Sequence, residues 1–203
     1  MNYASCHDDL TLYDKLHAAE PKVDRATLLR YNRLAAGIVF AAAGIPFIQA
    51  GEELVRRKVN ADGTLNSNSY DAGDEINAIS WNCLQNADCR EMRDYYKGLI
   101  AFRKNHPVLR LGDIGEIRER YTFYDIQGGE EIILLIDCAG VDGESARQLC
   151  MIFNPDLEQK EIPLPAGNWE IHVSDHRAGM ECIDKTDGSV TAAPVSCMFL
   201  VRN

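Results

Sequence analysis

A long amphipathic segment stands between two short apolar runs near the start of the chain. Residues 25–43 carry apolar side chains at three- and four-residue steps, which predicts a helix, and Asp24 before them is a suitable N-cap. The flanking runs, 2–6 and 46–50, predict buried strands. Because parallel strands need a crossover connection, the order strand, helix, strand predicts a parallel βαβ unit.

Two further helices are expected in this first half. A short one is predicted over residues 9–18, and a long one over 88–104 that ends at His106-Pro107. Between them, residues 52–74 form a long polar stretch rich in Asn, Asp, Ser and Gly. Loops of this length in compact domains are usually functional or disordered, so this stretch is a candidate ligand-binding loop.

The second half of the chain changes to short β-type runs separated by turn signals such as 127–129 and 154–155. Roughly seven strands at this spacing predict an antiparallel β-sandwich. The runs are 116–126, 130–138, 148–153, 159–162, 169–173, 189–191 and 195–201. We therefore expect two domains, an α/β part over residues 1–107 and an all-β part over 108–203.

Composition excludes several classes of protein. The net charge of −10 repels phosphate, which argues against a nucleic-acid or anionic-membrane partner, and no apolar run reaches the ~18 residues of a spanning helix. The seven cysteines are scattered, without a CxxC pair or zinc spacing. They predict free thiols, with Cys138, Cys150 and Cys197 in the core. Together with the lack of a signal segment after Met1, they favour the cytoplasm over secretion; a secreted disulfide framework is the alternative.

The first candidate site is the cluster His7-Asp8-Asp9, which follows the first predicted strand. Ligands of parallel α/β folds bind at the carboxyl ends of strands. A carboxylate there can stabilise a developing positive charge, and a neighbouring histidine can hydrogen-bond a sugar hydroxyl. The alternative is that Asp8 or Asp9 simply caps the following helix.

The second candidate site is the loop that follows the second predicted strand. Planar polar groups and aromatic rings suit a hydroxyl-rich ligand, although turn-forming Asn and Asp explain a solvated loop almost as well. Glu52 and Glu53 could equally pair with Arg56 and Arg57. The candidate residues are Glu52, Glu53, Arg56, Asn68, Ser69, Tyr70, Asp74, Asn77 and Trp81. Because both clusters follow successive strands, we expect them at the same rim of a parallel barrel.

Three segments carry a resemblance to a known family. Residues 2–16 (NYASCHDDLTLYDKL) resemble the fourth conserved segment of the α-amylase superfamily and are most similar to type I pullulanases. Residues 44–53 (GIPFIQAGEE) resemble the eighth barrel strand, and residues 68–81 resemble the pullulanase loop after it. The resemblance implies the last two βα units of a (β/α)8 barrel, followed by an antiparallel β-sandwich C-terminal domain.

The resemblance also implies roles for individual residues. Asp8 would be the third family carboxylate, which stabilises the oxocarbenium-like transition state, and His7 would bind the same sugar ring. Asp9 stands in the substrate site where pullulanases commonly carry Asn, and Ala78 where some members carry a longer polar residue. The residues implied to contact neighbouring glucose units are Tyr70, Asp74 and Asn77. No motif calls for a metal or an organic cofactor.

The implied activity is hydrolysis of α-1,6 linkages in pullulan, glycogen or starch by a retaining mechanism. In this family the nucleophile and the general acid/base precede the Asp8 segment, whereas only residues 1–6 precede it here. A (β/α)8 barrel also takes ~250 residues. We therefore expect a C-terminal fragment that is inactive alone. Its partial barrel would be rearranged, partly disordered or paired with a second copy.

Two alternatives stay open. The β-rich half could be a non-catalytic α-glucan-binding module, with Trp169, His172 and Tyr121 as stacking residues; against this, Trp169 lies in a predicted strand, which favours a place in the core. The chain could also derive from an isoamylase or an α-amylase. The segment Asn68-Ser69-Tyr70 favours a pullulanase.

Overall fold

The structure is a computed structural model and describes residues 1–124 and 129–203. The helices are α1 Leu12–Ala19, α2 Arg25–Ala41, α3 Asp74–Asn77, α4 Ala87–Asn105 and α5 Ile114–Arg120, with 3-10 turns at Glu52–Leu54, Trp81–Gln85 and Pro107–Arg110. The strands are β1 Tyr121–Tyr124, β2 Ile132–Asp137, β3 Gln148–Asn154, β4 Lys160–Val173, β5 Asp184–Ala192 and β6 Ser196–Arg202. No helix in these ranges is long and apolar enough to cross a membrane.

The long helices are confirmed, because their signals are local. Asp24 caps α2 by accepting a hydrogen bond from the Thr27 amide at 2.7 Å, and α4 matches its predicted bounds to one residue at each end. The short helix α1 begins later than predicted. Thr11 is its N-cap and accepts from the Asp14 amide at 3.2 Å. The alternative that Asp8 or Asp9 caps this helix is therefore wrong.

The two predicted strands of the βαβ unit are not formed as strands. Residues 2–6 and 46–50 meet only in an isolated parallel bridge between Asn2 and Pro46. The Asn2 amide donates to the Ile45 carbonyl and the Phe47 amide to the Asn2 carbonyl, both at 2.8 Å. The parallel direction is as predicted. The ladder stops there because a two-stranded pair, with no further strand beside it among the described residues, is only marginally stable.

The β-rich half forms one antiparallel sheet with the order β1-β2-β3-β6-β4-β5. The sequence predicts a sandwich of roughly seven strands, but the runs 159–162 and 169–173 belong to the single strand β4, whose register shifts between Pro163 and Asn168. The run predicted over 116–126 begins as the helix α5, because Asp113 accepts from the Glu116 amide at 2.8 Å. Its end, and part of the turn predicted at 127–129, lie outside the described residues.

Each face of the sheet covers a separate core. Helices α2 and α4 pack on one face, in a core that includes Ile136, Met151 and Phe199, and α1 packs against α2. The other face carries a core made entirely by strands, with Trp169 fully buried in it. Among the described residues, the buried side chains of this second core come from strands β2 to β6.

Helix α2 and strand β6 approach each other closely at a glycine. A Cβ atom on Gly37 would lie 2.2 Å from the Cys197 sulfur, far inside van der Waals contact. The contact explains why a residue of low helix propensity sits inside a long helix. The helical and β-rich halves therefore share one tightly packed core.

Candidate functional site

The His7-Asp8-Asp9 turn lies between the Asn2–Pro46 bridge and helix α1 and faces solvent. The side chains of His7 and Asp8 are 84% and 78% exposed, and His7 Nε2 lies 3.4 Å from Asp8 Oδ1. Asp9 has a left-handed backbone with φ of 64°. The turn therefore presents an imidazole and two carboxylates to any ligand that reaches this surface.

Beneath the turn, Ser5 and Glu52 form a buried contact. Ser5 Oγ donates to Glu52 Oε1 at 2.5 Å, and the Gln49 amide donates to the same oxygen at 3.1 Å. The Tyr96 hydroxyl donates to the other carboxylate oxygen at 3.4 Å. Burial raises the pKa of Glu52 above its usual value, against the lowering effect of these donors.

The alternative ion pairs of Glu52 and Glu53 with Arg56 and Arg57 are not formed among the described residues. Among residues 1–124 and 129–203, neither Glu52 nor Glu53 pairs with an arginine. Glu53 instead accepts from the Gly51 amide at 2.9 Å. Gly51 has φ of 100°, and a Cβ atom there would lie 2.6 Å from Arg56 Cδ, so only glycine fits this bend.

Asp14 organises the loop that flanks the turn, and the sequence analysis missed it. Its fully buried carboxylate accepts from Arg57 Nε at 2.6 Å, from the Lys58 amide at 2.7 Å and from Thr11 Oγ1 at 3.0 Å. An acidic residue among the apolar positions of a short amphipathic helix is the signal that could have found it. The carboxylate fastens residues 57–58 to helix α1.

Lys58 is a second residue that sequence reasoning missed. It is only 3% exposed, and its ammonium donates to the His7 carbonyl at 3.3 Å. Burial lowers the pKa of Lys58, with a further lowering by Arg56, while the nearby carboxylates of Asp8 and Asp14 oppose the shift. The amine therefore lies directly behind the exposed turn.

In the second candidate cluster, Asn77 holds the loop by hydrogen bonds, whereas Tyr70 and Asp74 face solvent. Asn77 Nδ2 donates to the carbonyls of Ser69 at 2.6 Å and Ala72 at 2.9 Å, so this amide nitrogen holds the loop. The Asn77 carbonyl accepts from the Arg56 guanidinium. Tyr70 is 82% exposed, and Asp74 is exposed at the start of α3.

The two clusters are joined only through shared loop residues. Within the described ranges, no hydrogen bond or ion pair links the turn at 7–9 directly to Tyr70 or Asp74. Lys58 reaches the turn, and Arg56, two residues earlier, reaches Asn77. One segment, 56–58, therefore supports both candidate surfaces.

Two of the three stacking residues suggested for the β-rich half are buried, and the third is half-buried. Trp169 is fully buried and its indole N–H donates to the Pro165 carbonyl at 2.9 Å, which confirms the core interpretation. Tyr121 is half-buried with its hydroxyl donating to the Val108 carbonyl, and His172 is 7% exposed. Trp169 and His172 therefore cannot stack on a sugar as suggested, because their rings are buried.

The cysteines and the acidic and histidine side chains are the groups that could form a disulfide or hold a metal ion. Cys138, Cys150 and Cys197 are buried in the core, as predicted, and the seven cysteines are unpaired. In the part of the chain that the structure describes, no group of three or more His, Cys, Asp or Glu side chains could hold a metal ion.

The chain is similar to pullulanases in sequence and in structure. It is 35% identical over 143 residues to a pullulanase of Bacillus subtilis (strain 168), covering 64% of this chain and 19% of that relative. The pullulanase structure from Bacillus acidopullulyticus matches with a TM-score of 0.90 and 28% identity, covering 99% of this chain and 24% of that one. A pullulanase from Paenibacillus barengoltzii, solved with maltohexaose and α-cyclodextrin, matches with a TM-score of 0.82 and 31% identity, covering 99% and 29%. No protein-family model matches the chain.

These matches define the class of protein as a relative of the pullulanases. The resemblance to type I pullulanases is confirmed: the chain is pullulanase-like in both sequence and fold. It spans less than a third of the length of each of the three relatives described.

Proposed function

We propose that the chain is the C-terminal part of a debranching enzyme that hydrolyses α-1,6-glucosidic linkages in pullulan, glycogen or starch. The observation that carries the proposal is the exposed pair His7 and Asp8, with side chains 3.4 Å apart, in the segment that resembles the pullulanases. A pullulanase from Anoxybacillus sp. LM18-11 with a similar fold has been solved with maltotriose, which supports an α-glucan as the ligand of this surface.

In this proposal the turn acts on the sugar at the cleavage point. Asp8 places a negative charge beside the oxocarbenium-like carbon as positive charge develops there, and His7 hydrogen-bonds a hydroxyl of the same ring. Exposed Tyr70 and Asp74 contact neighbouring glucose units, with Asp9 at the edge of the site. Asn77 contributes by holding residues 69–72 rather than by donating from its amide nitrogen.

The two carboxylates that perform retaining hydrolysis come from another part of the enzyme. Such a pair stands ~5–5.5 Å apart across the scissile bond. Glu52 is buried under the turn, and Asp14 is enclosed by three donors. Neither of them can take these roles, so we expect the chain alone to be inactive.

In this proposal the chain has two parts. Residues 1–107 are the end of a barrel, and residues 108–203 are the C-terminal β-domain. Tyr3 and Phe47 stack edge to face with ring centroids 6.0 Å apart and are 55% and 38% exposed. A groove of about 820 Å³ between α2, α4 and α5 is lined mainly by apolar side chains such as Ile45 and Ile114. These exposed apolar surfaces support self-association of the chain.

The unpaired cysteines support a cytoplasmic location.

Activity in a chimeric enzyme tests the proposal. The matching region of the Bacillus subtilis pullulanase would be replaced by this chain, and the products from pullulan would be analysed. Release of maltotriose supports α-1,6 cleavage, whereas panose-type products would show an α-amylase-like specificity. Asp8→Asn should lower turnover by about 100-fold or more, while the exposed control Asp187→Asn should not. Near-normal turnover of the Asp8 variant would reject the assigned role.

A further inference from the structure

We infer that Glu52 and Lys58, two buried residues of the loop after residues 46–50, are positioning residues for the His7–Asp8 pair. Neither side chain reaches the exposed surface: Glu52 is 6% and Lys58 is 3% exposed. The inference rests on the proposed function, because it assigns both residues to the same sugar-binding turn.

The exposed pair does not fix its own geometry. The side chains of His7 and Asp8 touch each other at 3.4 Å and are otherwise mostly surrounded by solvent. Their direction is therefore set by the backbone that carries them. That backbone turns sharply, since Asp9 adopts a left-handed conformation immediately after the pair.

Glu52 fixes the start of the turn. Its Oε1 accepts from Ser5 Oγ at 2.5 Å, and Ser5, two residues before His7, is 1% exposed. Its Oε2 accepts from Tyr96 Oη, which in turn accepts from Asn32 Nδ2 at 3.0 Å. The carboxylate thus connects the start of the turn to buried side chains of helices α4 and α2.

Lys58 fixes the peptide of His7 itself. Its ammonium donates to the His7 carbonyl at 3.3 Å, and its own amide donates to Asp14 on helix α1 at 2.7 Å. Leaving a charge in a buried place is costly unless it is paired or hydrogen-bonded. The neighbouring carboxylates of Asp8 and Asp14 provide that compensation.

Together the two residues hold the turn at two points, one on each side of Cys6. A displacement of about 1 Å in a positioned group can lower catalysis by about 100-fold. Loss of either anchor should therefore change the orientation of His7 and weaken sugar binding, although neither residue touches the sugar.

The test combines an NMR signal with a binding constant. The imidazole resonance of His7, assigned with His7→Gln, would be measured in the wild type, Lys58→Met, Lys58→Arg and Ser5→Ala. Lys58→Met keeps the aliphatic stem, Lys58→Arg restores a donor, and Ser5→Ala removes the Glu52 contact with a minimal change in volume. The matched control is Lys185→Met on β5, which breaks a surface contact to Glu170. Circular dichroism verifies that each variant folds.

The inference predicts a shifted His7 resonance in Lys58→Met and Ser5→Ala, a return towards the wild-type position in Lys58→Arg, and no change in Lys185→Met. Maltotriose should bind about tenfold more weakly to the first two variants, as for loss of one hydrogen bond to a charged group. An unchanged His7 resonance in folded Lys58→Met or Ser5→Ala would overturn it. If the resonance shifts as expected while wild type binds no maltotriose, the positioning role stands and the proposed function fails.

Discussion

Asp14 and Arg57, 43 positions apart in sequence, form an ion pair at 2.6 Å in which the carboxylate is completely buried and the guanidinium is 40% exposed. The same carboxylate accepts from the Lys58 amide and from Thr11. Helix α1 and the loop that follows residues 46–50 therefore share one polar anchor. The position of Lys58 behind the His7–Asp8 turn depends on this anchor.

Substitution of Asp14 should destabilise the whole helical half. Asp14→Leu leaves the Lys58 amide without its buried acceptor and the Arg57 guanidinium without its partner. We expect the free energy of unfolding in urea to fall by about 3 kcal/mol. The exposed control Asp187→Asn should change it by less than about 0.5 kcal/mol. An equally small effect for Asp14→Leu would contradict the anchor.

The stability contribution of Glu52 should depend on pH in a defined direction. Burial raises its pKa in the folded protein above the unfolded value of 4.5, so folding favours the protonated form. The ionised carboxylate therefore lowers stability at pH 7, and this penalty disappears as the pH falls through the raised pKa towards 4.5. Glu52→Gln removes the charge and keeps an acceptor for Ser5.

Urea unfolding of wild type and Glu52→Gln at pH 7 and pH 4 checks this expectation. The variant should be the more stable protein at pH 7, and the difference should shrink at pH 4. A wild type that is more stable than the variant at pH 7 would show that the carboxylate is stabilised by its donors rather than destabilised by burial.

The contact between Gly37 and Cys197 should be intolerant of added volume. Gly37→Ala places a methyl group 2.2 Å from the Cys197 sulfur, so helix α2 or strand β6 must move. Overpacking of this kind destabilises by about 1–3 kcal/mol, despite the better helix propensity of alanine. Gly112→Ala is a suitable control, because a Cβ atom there meets nothing within 4 Å.

A double variant separates this clash from other effects of the substitution. Cys197→Ala removes the sulfur, so the Gly37→Ala/Cys197→Ala protein should regain part of the stability lost in Gly37→Ala. Strictly additive losses in the two single variants would indicate that the two positions do not interact.

The left-handed backbone at Asp9 should favour residues with a low cost for positive φ. Asp9→Gly should raise the free energy of unfolding by up to about 1 kcal/mol, because glycine adopts this conformation without a steric penalty. Asp9→Val should lower it by about 1–2 kcal/mol. Thermal unfolding would measure both, and a valine variant as stable as the glycine variant would contradict the backbone conformation.

The parts of the fold that local signals determine were predictable from the sequence. Asp24 as a cap and the apolar stripe of α2 are read directly from the residues. The parallel strands at 2–6 and 46–50 were not, because a ladder forms only where further strands lie beside it. The union of two predicted runs into β4 depends on the partner strands β5 and β6.

The contacts of the supporting residues could not be predicted for a similar reason. Glu52, Lys58 and Asp14 are charged, and the default expectation for such side chains is an exposed position. Their roles arise from hydrogen bonds to Ser5, His7 and Arg57, over separations of 43 to 51 residues. Nothing in the local pattern around each residue specifies these partners.

The proposed function requires an α-glucan to bind at the turn of His7 and Asp8 and at the loop that carries Tyr70 and Asp74. Titration of the 15N-labelled chain with maltohexaose, followed residue by residue by NMR, measures this binding. We predict perturbations at these four residues that are weakened in Asp8→Asn and retained in Asp187→Asn. Perturbations confined to strands β1 to β6, or an absence of binding at any concentration tested, would contradict the claim.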